Sequence, residues 1–170
     1  MTYLPQIILT AVLVFIAAPV FGQTVNPAKV RINGGIGLDS TYAQVVKLLG
    51  KPVRETKPQN EECTGGHEKT VKYAGLEFYF MDSPSKYGKT YMVMSFDVSS
   101  SKYAVSGVKM GDSVAVVRRK FGRPGSIDKD AAKGEASWIY PIGDNDGPGR
   151  TTVTFKNGKV VSIGSSYTVC

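Results

Sequence analysis

His67 is the only histidine in the 170 residues, so any Ser-His-Asp or Cys-His arrangement would have to be built on it. It sits in Cys63-Thr-Gly-Gly-His67 behind Glu61-Glu62, and the paired glycines and acidic lead mark a polar loop. The reading is therefore a loop histidine, with a small hydrolase using His67 as an alternative. One Cys and one His are too few soft ligands for a zinc or copper site. Asp144-Asn-Asp-Gly147 opens like a calcium loop, but counting from Asp144 puts Pro148 at position 5 and Phe155 at position 12, where oxygen ligands are required. That stretch reads as a flexible turn. Glu61-Glu62 and the Asp128/Asp130 pair lie in polar surroundings that give no reason for acid–base tuning. Neither Gly-x-Ser-x-Gly nor a phosphate-cradling glycine loop is present. The expectation is a protein without metal, cofactor or catalytic machinery.

Binding residues are easier to nominate. Met81 to Tyr91 and Pro141 to Arg150 are long connections where a two-residue turn would reverse the chain. Long loops on a rigid scaffold commonly carry binding, and aromatic rings make effective anchors. The candidate contact residues are Asp82, Tyr87, Tyr91, Trp138 and Tyr140. Tyr87 and Tyr91, in the loop 82–91, are the foremost anchors. Sheet aromatics of this kind serve equally well in a core, so that alternative stands beside the binding one.

The elements that must position these residues begin after residue 22. Residues 1–22 contain no Asp, Glu, Lys or Arg, and an apolar run from Ile7 to Ala18 leads to Ala18-Pro-Val-Phe-Gly22. This is the layout of a secretory signal peptide, too short to span a bilayer, although the usual basic residue near the start is missing. Cleavage before Gln23 gives a periplasmic or secreted bacterial protein; retention as an anchor is the alternative. The 21 basic and 14 acidic residues then all belong to the mature part, for a net charge of +7. The Lys and Arg are scattered except in Arg118-Arg-Lys120, with no aromatic interleaving that would make a nucleic-acid platform. Cys63 and Cys170 are the two cysteines, and in an oxidising compartment a disulfide between them is expected.

The mature part shows internal similarity. Residues 35–52 and 107–124 align without gaps, with identities at Gly35/Gly107, Ala43/Ala115, Val45/Val117, Gly50/Gly122 and Pro52/Pro124. Each matched position helps make a short helix. Thr41 and Ser113 are N-cap residues, and Gln44 completes a capping box that Val116 breaks in the second copy. Tyr42, Val45, Val46 and Leu49 form one apolar face; glycine and then proline end each helix. The spacing predicts helices over 42–49 and 114–121, too short to stand alone. Strands follow at Lys69–Ala74, Leu76–Met81 and Thr90–Val98, then at Ser137–Tyr140, Thr151–Lys156 and Lys159–Tyr167, with Asn157-Gly158 as a hairpin turn. The expected fold is α+β: two tandem repeats, each a short helix packed on a three-stranded antiparallel sheet. Its parts are the signal peptide 1–22, an irregular lead-in 23–34, repeat 1 over 35–98, a linker 99–106 and repeat 2 over 107–170.

A Gly-hydrophobic-x-Leu/Met-x-x-Ser/Thr segment, a short helix and Gly-Lys/Arg-Pro, found twice and followed by strands, resembles the beta-lactamase-inhibitor-protein-like fold. Small envelope lipoproteins of the SmpA/OmlA type look like single-copy relatives. The resemblance implies an exported, non-catalytic protein-binding module (an inhibitor, adaptor or envelope-assembly factor) that uses a sheet face and extended loops. Its partner would be another exported or envelope protein, with no nucleic acid and with membrane contact possible but not integral. The alternative is an envelope-associated structural protein held to anionic lipid or polymer by its basic residues.

Overall fold

The computed structural model describes residues 26, 29–62, 65–83, 88–143 and 149–168. The signal peptide, Cys63, Cys170, Tyr87 and the Asp144–Gly147 turn lie outside the described residues, as does the expected disulfide with them. Helix α1 spans Tyr42–Leu49 and α2 spans Val114–Phe121. The strands are β1 (Arg54–Glu55), β2 (Gln59–Asn60), β3 (His67–Tyr73), β4 (Leu76–Ser83), β5 (Gly88–Val98), β6 (Ser126–Asp130), β7 (Glu135–Ile142), β8 (Gly149–Lys156) and β9 (Lys159–Tyr167).

Both helices begin and end where local chemistry dictates. The Thr41 hydroxyl accepts from the Gln44 amide while the Gln44 side chain accepts from the Thr41 amide, which is the capping box. Ser113 caps α2 without a side-chain hydrogen bond. Gly50 and Gly122 stop the two helices at a φ of 80° each, a region open to glycine without strain.

All strand pairs are antiparallel and form one nine-stranded sheet in the order β1-β3-β4-β5-β9-β8-β7-β6, with β2 also on β3. Two separate three-stranded units, each carrying its own helix, are therefore not the architecture. The correction lies at β5 and β9, which pair from Ser95↔Ser166 to Val98↔Ile163. A three-stranded sheet leaves two bare edges, and joining β5 to β9 satisfies one edge of each half. The short polar strands β1, β2 and β6 then extend the sheet outward.

One transverse row of paired residues defines the apolar face: Tyr73, Leu76, Val98, Ile163, Val153, Trp138 and Ile127, each the register partner of the next. Both helices pack on this face. Tyr42 of α1 meets Phe80 edge-on at 5.5 Å, and Phe121 of α2 stacks against Tyr140 at 5.4 Å. Val30, Ile32, Tyr103 and Val105 join the same core, so parts of the lead-in and of the 99–106 segment are structural. The opposite face is polar, its centre carrying Ser95, Asp97, Thr152, Ser162 and Gly164 around a shallow depression of about 250 Å3.

Candidate binding surface

At one end of the helix-bearing face the side chains lock one another. Lys69 alternates with Val71 and Tyr73 along β3 and is therefore buried with them, 8 % exposed. A buried ammonium needs a counter-charge and donors satisfied. Its Nζ lies 2.7 Å from Glu55 Oε1, 3.4 Å from the ring centroid of Tyr42 and 4.7 Å from that of Tyr91. Both rings thus offer their negative faces to the cation. The Tyr42 hydroxyl donates to Glu55 Oε2 at 2.7 Å, and that bond, with burial, pushes the phenol up to about 12. Burial works against the Glu55 carboxylate, but the hydrogen bonds from Lys69 and Tyr42 outweigh it and hold its pKa below the usual value.

Next to this cluster, Asp82 is buried and its Oδ1 accepts from the His67 amide at 2.6 Å. Its Oδ2 lies 3.4 Å from His67 Nδ1, and the imidazole is half-exposed. Gly66 makes this approach possible, since a Cβ there would lie 2.1 Å from the Asp82 carbonyl oxygen. Asp82 is thus a loop-pinning residue. Tyr91 is half-buried over Lys69, and its phenol is raised by burial and then by Asp82.

The two ends of this face are built on matching backbone contacts. The Tyr73 hydroxyl donates to the Gly50 carbonyl at 3.0 Å, and the Tyr140 hydroxyl to the Gly122 carbonyl at 3.3 Å. The Val93 amide donates to Ser40 and the Val160 amide to Asp112, both at 2.9 Å. Register partners complete the match: Lys69 faces Phe80 as Ala136 faces Phe155, and Glu55 faces Val71 as Ile127 faces Trp138. Tyr42, Glu55, Lys69 and Tyr91 therefore correspond to Val114, Ile127, Ala136 and Gly158.

Every one of those replacements is smaller or less polar, and the space opens. A hollow of about 300 Å3 lies there, lined by Val114, Ala136, Trp138, Phe155 and Gly158 among others. Trp138 packs edge-on against Phe155 at 5.2 Å and is half-buried, while Ile127 is 49 % exposed. Tyr140, by contrast, is wholly buried under α2, and burial pushes its phenol up to about 12. It offers no ring to a partner.

Of the residues nominated from sequence, the structure brings Asp82 and Tyr91 together at one end and places Trp138 at the other. The sequence reading missed Lys69, Glu55 and Ile127. Lys69 had a readable signal, its even spacing with Val71 and Tyr73 along a strand. Among the described residues no group of three or more His, Cys, Asp or Glu could hold a metal ion, and no helix is long and apolar enough to cross a membrane.

No protein-family model matches the chain, and no curated protein does. A solved structure of an extracellular protein containing an SCP domain, from Bacillus anthracis, is similar with a TM-score of 0.45 and 11 % sequence identity. The match covers 76 % of this chain and 44 % of that protein, so the chain spans under half of its length. A likeness this loose carries no argument.

Proposed function

We propose that this protein is an exported, non-catalytic module that binds another exported or envelope protein through the β6–β7 end of its helix-bearing face. The observation that carries the reading is the apolar row across the sheet. It is buried from Tyr73 to Val153 and then continues past the cover of α2 through half-buried Trp138 to Ile127, 49 % exposed. Apolar side chains in register with a core, but left without a lid, are the pattern of a docking surface. The signal-like residues 1–22 support export. The resemblance of the two Gly…Gly-Lys/Arg-Pro segments to the beta-lactamase-inhibitor-protein-like fold supports binding over catalysis.

The test is affinity capture from secreted and envelope fractions with the mature chain, beside an Ile127→Asp variant. A protein retained by the parent and lost by the variant supports the reading. Capture that ignores Ile127→Asp but vanishes in 0.5 M salt overturns it in favour of attachment through scattered basic residues.

A further inference from the structure

We propose that the hollow between α2 and the β6–β7 hairpin receives one uncharged apolar side chain from an acidic segment of the partner protein, with Lys129 pairing a carboxylate beside it. This rests on the reading that the β6–β7 end binds protein, and it specifies what enters.

The two ends of the face explain the choice. At the first end the space beyond the helix N-terminus is filled by the chain itself: the Lys69 stem runs between Tyr42 and Tyr91, and Glu55 meets its charge. At the second end Val114 and Gly158 replace the rings, Ala136 replaces the stem, and Ile127 stands where the carboxylate stood. The built-in plug is gone, and the two carboxylates that line the hollow, Asp130 and Glu135, are each already engaged by a lysine. An entering lysine would lose its hydration without a free counter-charge. A leucine, methionine or phenylalanine side chain would meet Val114, Trp138 and Phe155 and leave no polar atom unpaired.

The rim decides the flanking charge. Asp130 is held by Lys133 at 3.2 Å and Glu135 by Lys156 at 3.5 Å. Asp128 alternates to the other face of β6. Lys129 lines the hollow, is exposed, and has no ion-pair partner among the described residues. With a net charge of +7 on the whole chain, the surface steers an acidic segment toward that lysine.

Trp138 is the only tryptophan and lines the hollow, so the emission of the protein reports the surroundings of this site. Linear peptides would be selected from a displayed library on the purified mature chain, then synthesised and titrated while Trp138 fluorescence is followed. The expected peptides carry one aliphatic or aromatic anchor within two residues of Asp or Glu. They shift Trp138 emission, and they bind at least tenfold more weakly to Val114→Tyr, which restores the ring found at position 42. Because a tyrosine there could disturb packing, Lys129→Glu at the exposed rim is the second variant. It should weaken the same peptides tenfold and be rescued when their acid is changed to lysine.

Peptides that bind both variants as tightly as the parent, that leave Trp138 unchanged, or that share no acidic residue overturn the proposal. If such peptides nevertheless lose binding to Ile127→Asp, the binding face stands and only its occupant is wrong. An absence of both selected peptides and captured protein overturns the function and the occupant together.

Discussion

Glu55 and Lys69 meet at 2.7 Å with the ammonium nearly sealed from water and the carboxylate one-third exposed. The arrangement ties an edge strand to the sheet interior through charge. The carboxylate's pKa is held low, so its stabilisation is present above the usual value of 4.5 and is lost as pH falls through the lower, folded value. Glu55→Gln should be less stable than the parent at pH 7, and the gap should close as pH drops below 4.5. Urea unfolding from pH 3 to 7 checks it; parallel curves across that range would count against the pair.

Tyr73 and Tyr140 serve the two helix ends alike. Removing either hydroxyl, as Tyr73→Phe or Tyr140→Phe, should cost about 0.5–1.5 kcal/mol, the usual worth of a hydrogen bond. The two donors share no partner, so the double variant should lose the sum to within about 0.5 kcal/mol. A double variant no worse than either single one would show that the bonds are not independent.

Alkaline titration provides a third check. Tyr42 and Tyr140 are both raised to about 12, the first chiefly by its bond to Glu55 and the second by burial. Stability from these groups is complete below pH 10 and declines as pH rises toward 12, because the unfolded phenols ionise first. Absorbance at 295 nm should show fewer than eight tyrosines ionised at pH 11 in the folded mature chain, which lacks Tyr3 of the nine in the sequence, and nearly all eight in denaturant. Tyr42→Phe should remove one late step and leave the earlier ones in place.

Gly66→Ala should be among the costliest changes of a loop residue. Its Cβ would sit 2.1 Å from the backbone oxygen of Asp82, which cannot swing aside as a side chain would. We expect a loss of about 2 kcal/mol or more. The His67 amide, which donates to Asp82, should also exchange its hydrogen faster. An unchanged melting temperature would mean that the 61–67 loop is free to move away.

The helices were legible because their signals are local. Thr41 with Gln44, Gly50 with Pro52, and the spacing of Tyr42, Val45 and Leu49 act within a few residues of one another, and the bounds 42–49 and 114–121 agree with the structure. Asn157-Gly158 likewise closes the β8–β9 hairpin, both residues at positive φ. Strands β1, β2 and β6 were not legible. Their described residues are all exposed, so no apolar alternation marks Gln59-Asn60 or Ser126–Asp130. The pairing of β5 with β9 leaves no local trace either, since Val98 and Ile163 choose each other across the intervening chain. Sequence aromaticity also could not separate Tyr140, wholly buried, from Trp138, which reaches the surface; only the position of α2 over the sheet does that.

β9, the last of the described strands in sequence, lies in the middle of the sheet, with β5 on one side and β8 on the other. Pairing Val98 with Ile163 closes a long loop, an entropic cost met late and repaid only when the core seals. Without β9, β5 and β8 would each present a bare edge and the sheet would fall into two halves, so this one strand turns two separately deformable pieces into a single stiff body.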